Sequence, residues 1–470
     1  MLLVSISRYD IFTIDLVNRD VIMAAHPSTE QSNPTATQGQ QAKSVAEFDH
    51  HDPRMVREGH AILSDLQSRC PVAWTESHGG YWVVTGNREV TEVARDDTRF
   101  SSENDHVKRH GVAIPGLANW AGMIEMDPPD FTPVRKAFVP WFSPKAAEAR
   151  RPLAATVTDY CLDQIIEAGS GDLTEDVAVP IPALLTMQFI GFPFADAAPM
   201  ADLFHRHSWI APGTPERDRL NAEVAELQEM IQARAAAARQ KPGQDFLSFL
   251  ATVRINGELL TLPQISGHAF LVLIGGIDTT AGLLSNSLLH LQEHPEARAA
   301  LIADPGLMGS AFDEYLRYFS PVPGLARTVT GSCVVGGQHL EADERLWISW
   351  AGANLSPEAF EDPLEVKLDR SPNRHVAFGI GVHRCIGANV AKVIWTTVMR
   401  RILDRLPDFQ IDVPRSVPFP DVGPAIGWIS TPATFTPGAR VGAALDDRAG
   451  DRVNAVTSGY AVADQRHTAD

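Results

Sequence analysis

The sequence predicts a mainly α fold with small β-sheets, on three observations. Helical periodicity runs through the middle of the chain in stretches too long for strands, most evidently 135–142, 152–168, 222–239 and 262–293. Short runs of aromatic and β-branched residues are confined to 72–84 near one end and to 332–350 and 417–435 near the other. Between about residues 45 and 438 there is no linker-like segment and no internal repeat. The 470 residues therefore predict one large domain, 45–438, rather than the three that length alone suggests.

The elements can be justified in chain order. Residues 1–20 have apolar positions broken by Arg8, Asp10, Asp15, Arg19 and Asp20, which gives neither a clean apolar h-region nor a membrane span. No signal peptide or anchor is readable, so the chain is expected in the cytoplasm. From His26 to Ser44 there is no Leu, Ile, Val, Met or aromatic residue. Such a stretch cannot bury enough apolar surface to offset its ordering entropy, so 1–44 is expected to be a disordered extension, with Met23 as a candidate start. A second disordered tail is expected over 439–470. A helix follows over 54–68, and Trp74, Tyr81, Trp82 and Val83 around Gly79-Gly80 predict a strand hairpin.

The stretch 262–293 opens with Thr261 three residues ahead of Gln264, a capping box, and stops before Pro295. Its interior carries Gly275-Gly276-Ile277-Asp278-Thr279-Thr280, two helix-weakening glycines followed by a carboxylate and two hydroxyls. Glycines permit close approach of a flat body, and Thr279 can open the helix by competing for a backbone carbonyl. The bland alternative is a packing notch with Asp278 in a salt bridge.

Charge and cysteine content exclude several functions. Forty Lys and Arg against fifty-eight Asp and Glu leave a net charge of −18, the wrong sign for a general nucleic-acid or anionic-membrane binder. The four cysteines, Cys70, Cys161, Cys333 and Cys385, lack CxxC spacing, which argues against a disulfide framework and a zinc site.

Cys385 stands apart from the other three. It lies in Phe378-Gly379-Ile380-Gly381-Val382-His383-Arg384-Cys385-Ile386-Gly387, immediately before the helical pattern 388–403. Glycines let the backbone wrap amide N–H groups round the sulfur, and the helix start adds a positive dipole end that favours thiolate. On these grounds Cys385 is a nucleophile, a metal or haem ligand, or a buried structural cysteine.

The spacing of Phe378, Gly379, Gly381, His383, Cys385 and Gly387 resembles the haem-binding loop of the cytochrome P-450 family. Two further motifs stand upstream in the family's order. Gly275 to Thr280 is similar to its oxygen-activation stretch, and Glu314-Tyr315-Leu316-Arg317 to its Glu-x-x-Arg pair, whose i,i+3 spacing puts both charges on one helix face. The resemblance covers about 45–438 and implies the family's triangular prism fold and haem b (iron protoporphyrin IX).

It also implies roles residue by residue. Cys385 is the axial thiolate and metal ligand. Gly275 and Gly276 leave room for dioxygen and substrate, and Asp278 with Thr279 relays protons. Arg135, Arg327 and His383 hold the haem propionates. Phe378 and Gly379 shape and shield the thiolate loop, while Glu314 and Arg317, with Arg370 as partner, serve folding and haem incorporation. One position departs from the pattern: Phe131 stands where relatives carry His or Trp, and it cannot hydrogen-bond a propionate, which shifts that anchoring onto Arg135.

The segments similar to substrate-facing regions are apolar: Ile114, Leu117, Trp120 and Met123, then Leu273 and Gly276, Val322 and Leu325, and Trp428 and Ile429. They imply a hydrophobic substrate such as a terpenoid, steroid, fatty acid or aromatic compound. No flavin or iron-sulfur module is readable, so electrons are expected from an external ferredoxin or flavodoxin, docking on a patch of Lys136, Lys145, Arg384, Lys392, Arg400 and Arg401. The expected function is an O2-dependent monooxygenase acting as a monomer. The alternatives are a peroxide-driven peroxygenase and a non-catalytic haem protein that binds a hydrophobic ligand; both leave Asp278 and Thr279 without a task.

Overall fold

A sheet of five strands, in the order Val72–Thr75, Tyr81–Val84, Arg345–Ser349, Gly324–Val329, Phe100–Ser101, stands beside a much larger helical body. The computed structural model describes residues 43–105, 107, 109–421, 423–446 and 454. The expected N-terminal extension lies outside them except for residues 43 and 44, and the expected tail except for 439–446 and 454. Ser44 pairs with Trp74, and Lys43 bonds Glu344 at 2.6 Å. At the other end the amides of Val441, Gly442 and Ala443 donate to the Asp163 carboxylate.

The predicted hairpin forms with Trp74 opposite Trp82, and Gly79 and Gly80 take φ of +87° and +95° at its turn. Alternation along the sheet divides its side chains between two apolar clusters. Trp82, Val84, Leu346 and Ile348 enter one, and Tyr81, Val83, Ala326 and Trp347 the other. Strand Arg345–Ser349 runs parallel to Tyr81–Val84 and antiparallel to Gly324–Val329, which sets Leu346 opposite Arg327. The remaining C-terminal strands are short, and Pro432–Thr434 joins Ser170–Asp172 and Gln410–Ile411.

The main core is helical, built from Arg151–Ile165, Pro180–Ile190, Pro215–Gln240, Leu262–Gly276, Asp278–Glu293 and Ala388–Arg405. The stretch expected as helix over 135–142 is an α-helix, Phe131–Phe138, passing into a 3₁₀ turn, Val139–Phe142. Pro140 has no N–H to continue the α pattern. The stretch 262–293 is two helices end to end. Thr261 and Gln264 close both halves of the capping box, and the helix breaks at Ile277 (φ −87°, ψ −76°). Thr279 Oγ1 donates to the Gly275 carbonyl at 2.6 Å, the competition its position in the sequence suggests. This stretch and Leu173–Ile190 are long and apolar enough to cross a membrane, yet both lie largely inside the core.

Candidate functional site

Cys385 sits in a tight loop that delivers it to the start of helix Ala388–Arg405. Its N–H donates to Phe378 O at 2.8 Å, closing the loop on itself. Gly379 and Gly381 turn the chain with φ of +65° and +76°, and a Cβ on Gly381 would lie 2.3 Å from Ala94 O, so only glycine fits there. The sulfur is exposed on one side, while Gly387 and Ala388 amides and the charges of Arg135 and Arg384 favour its anion. Protein crowding on the other sides outweighs these and raises the thiol pKa. The helix start expected to favour the thiolate is thus outweighed by burial.

Around this loop three nitrogen groups converge. Arg327 is 4% exposed and donates to Ala326 O, with no carboxylate bonded to it among the described residues; Asp127 acts on it only at longer range. Burial brings its pKa down to about 10. Arg135 donates to Arg384 O at 2.5 Å, and burial lowers its pKa too. His383 has a buried Nε2 without a hydrogen-bond partner, and burial together with Arg327 and Arg135 lowers its pKa to about 3. Phe131 packs on its ring at a centroid separation of 4.5 Å. Burying the Arg327 cation without a bonded counter-charge is unfavourable by several kcal/mol, so the cluster fits an anionic group brought in by a ligand. The two carboxylates of haem b match that need, and the donor set passes this test of fit.

The two end-to-end helices Leu262–Gly276 and Asp278–Glu293, together called the distal helix, sort their residues by face. Between Ile265 and Leu289 Gly275 is the exposed residue, and a Cβ there meets nothing within 4 Å. Gly276, expected beside the cofactor, instead faces helix Pro180–Ile190, where a Cβ would lie 2.7 Å from Thr186 Oγ1. Leu273, expected in the pocket, is fully buried in the core. Both corrections follow from the helical period: Leu271, Gly275 and Thr279 share a face at i,i+4 spacing, and the part-exposed Leu271 is the residue that reasoning from motifs missed. Asp278 is 2% exposed; its Oδ1 meets His205 Nδ1 at 3.2 Å, and its Oδ2 is buried without a partner. The carboxylate is therefore turned to helix Ala197–Trp209 rather than lying beside the Thr279 hydroxyl.

The other apolar candidates divide as well. Leu117 and Trp428 are part-buried at the edge of the main core, and Trp428 Nε1 donates to Asn286 Oδ1 at 2.9 Å. Trp120 packs on His268 of the distal helix at 5.3 Å between centroids. Val322, Leu325 and Ile429 are half-buried, Val322 against the sheet cluster. Ile114 does not line the same core: it is buried among Phe48, Met55, Leu63, Tyr81 and Trp347. Its loop turns the side chain away, which no local pattern announces.

Glu314 and Arg317 are fully buried and doubly bonded at 2.8 Å, while Arg370 Nε donates to both Glu314 oxygens at 3.0 Å. Asn373 and the Lys367 amide complete the carboxylate's bonds, and Arg317 also holds three backbone carbonyls, of Asn354, Pro363 and Glu365. Burial pushes the Glu314 carboxyl up, but these bonds prevail and lower its pKa. Of the six expected docking cations, Lys392, Arg400 and Arg401 pair with Asp313, Asp404 and Asp159.

Comparison with known proteins defines the class. The Cytochrome P450 family model matches residues 306–436, which contain both the Glu314 network and the cysteine loop. Cytochrome P450 107B1 of Saccharopolyspora erythraea is 30% identical over 70% of this chain and 83% of its own length. Steroid C26-monooxygenase of Mycolicibacterium smegmatis is 30% identical over 77% of this chain and 89% of its own. The structure of a mutant of P450 EryK in complex with erythromycin B superposes with a TM-score of 0.75 at 26% identity, covering 84% of this chain and all of that one. The chain belongs to the cytochrome P450 family. It has the family's fold, binds haem b, and is an oxidoreductase of the monooxygenase class.

Proposed function

We propose that Cys385 is the axial thiolate of the haem iron and that the chain inserts one oxygen atom of O2 into a hydrophobic organic substrate of the terpenoid, steroid, fatty acid or aromatic kind. The observation that carries this reading is the exposed Cys385 in its amide-lined loop, together with Gly275, the exposed residue of the long apolar stretch 265–289, with space for a ligand. Haem, when bound, supplies dioxygen activation and oxygen transfer. The chain's own residues bind, orient and protonate.

Arg135, Arg327 and the His383 ring hold the propionates, giving the buried Arg327 guanidinium the bonded counter-charge it lacks. Phe131 adds no donor, so Arg135 carries more of that load. Thr279, its proton committed to Gly275 O, turns oxygen lone pairs to the open face and holds a proton donor there. Asp278 is the reservoir behind it, a carboxylate that must leave His205 to deliver a proton toward the Thr279 side. The apolar side chains of Leu271, Leu117, Trp120 and Trp428 exclude water and retain an apolar substrate. Electrons come from an external ferredoxin or flavodoxin in the cytoplasm, and the enzyme acts as a monomer.

Substrate screening by displacement of the iron-bound water tests the substrate class: apolar compounds of these kinds should shift the Soret band, and small polar ones should not. A panel in which only polar or charged compounds shift it contradicts the reading.

A further inference from the structure

His51 is placed where neither nitrogen of its ring can accept a hydrogen bond. Nδ1 lies 3.0 and 3.2 Å from the two oxygens of Asp421, and Nε2 lies 2.9 Å from the carbonyl of Ile114. A carboxylate and a carbonyl only accept, so both ring nitrogens must donate, and the ring that satisfies both is the imidazolium. His51 and Asp421 are 14% and 5% exposed at the side chain, so the pair is screened little by solvent.

The partners lie in two loops that flank the distal helix. Loop 110–125 anchors Ile114 in the N-terminal cluster and sets Trp120 against His268 and Gly267 of that helix. The described part of loop 419–428 crosses the same helix farther along: a Cβ on Gly282 would lie 2.4 Å from Ile426 O, and Trp428 bonds Asn286. The same loop packs Phe419 on His205, the partner of Asp278. His51, from the segment before helix Met55–Arg69, joins one loop to the other across 370 residues of sequence.

We propose that His51 is a positioning residue for substrate, a doubly donating latch that fastens loop 110–125 to loop 419–428 and so sets how long a hydrophobic molecule is retained over the distal helix. The proposal rests on the reading that these loops border the substrate site.

The latch is sensitive to pH. Facing His51 are Asp421 and Asp49, which favour its charge, and the rings of His50 and His78, packed at 4.2 and 5.1 Å between centroids. Arg217 is close enough to Asp421 to feel its charge but bonds Ile210 O instead. His50 is bonded to Tyr81 OH at 2.8 Å, and burial with its two histidine neighbours holds it well below the usual range, so it stays neutral and does not repel His51. Burial works against the charge on His51, but the bonds to Asp421 and Ile114 prevail and raise its pKa. The bonded form is the protonated one, so the latch is closed below that raised pKa and opens as pH rises through it.

The test uses the haem-loaded protein and 4-phenylimidazole, a hydrophobic ligand of the iron whose release is read from the Soret band after dilution. Release should be several-fold faster at about pH 9 than at about pH 6, and His51→Gln should be fast at both. Asp421→Asn, which keeps the size and removes the charge, should move the midpoint to lower pH. Release that does not depend on pH in the wild type, or that keeps its full pH dependence in His51→Gln, overturns the proposal. Hydrogen exchange of loop 110–125, compared with His51→Gln at each pH, separates the two ways it can fail. Exchange that does not differ means there is no latch, and exchange that differs while release does not means the loops do not border the substrate site.

Discussion

Cys385 is held between opposing influences: amides of Gly387 and Ala388 and two arginines stabilise its anion, while crowding by protein raises its pKa. Gly275 and Gly276 show how one residue of displacement changes a role. With nothing within 4 Å of its Cβ position, Gly275→Ala should raise stability by about 0.5–1 kcal/mol through helix propensity. The same methyl enters the ligand's space, so substrate binding should weaken; calorimetry and spectral titration check the two halves. Asp278→Asn keeps the bond geometry to His205 but removes the proton-carrying carboxylate. It should leave the haem spectrum intact and lower turnover by about 10²-fold, with more of the consumed O2 appearing as peroxide. The two glycines, Leu273 and the neglected Leu271 were all decidable from the sequence by counting in steps of 3.6 from Thr279. His205 was not, because its meeting with Asp278 depends on how helix Ala197–Trp209 crosses the distal helix.

At the scale of elements, the break at Ile277 and the buried Glu314 network are the two devices that hold the site. The break was readable as a conflict between an apolar helical run and its Gly, Asp and Thr residues, and the capping box fixed where that helix begins. The Glu314–Arg317 pair was readable by its spacing, but its complete burial was not, since that depends on the carbonyls of Asn354, Pro363 and Glu365, outside the helix, accepting from Arg317. Glu314→Gln removes one partner of a buried ion pair and leaves two arginines unbalanced. A loss on the order of 3–5 kcal/mol is expected, seen as a lowered denaturation midpoint and poor haem incorporation. Arg135→Ala, on helix Phe131–Phe138, should instead leave the fold in place and reduce haem retention, because Phe131 offers no alternative donor; normal haem occupancy would contradict that assignment.

For the whole molecule, a net charge of −18 meets an electron donor that is itself expected to be acidic. Since Lys392, Arg400 and Arg401 already pair with carboxylates, less of the patch is available than the sequence suggested. The exposed Lys136 should matter more. Lys136→Glu is expected to lower the ferredoxin kcat/KM at low salt more than Arg400→Glu does, and both effects should shrink as ionic strength rises. The general architecture was legible because helix-period runs and short strand runs segregate along the chain. The contacts that carry control, His51 with Asp421 and Ile114, join positions too far apart for any local pattern to reveal. The central claim, that Cys385 bonds the haem iron as a thiolate, is tested most directly by the absorption spectrum of the reduced, carbon monoxide-bound protein. The wild type should show the long-wavelength Soret band of thiolate ligation and Cys385→Ser should lose it; a wild type without that band, or a Ser variant that keeps it, would contradict the claim.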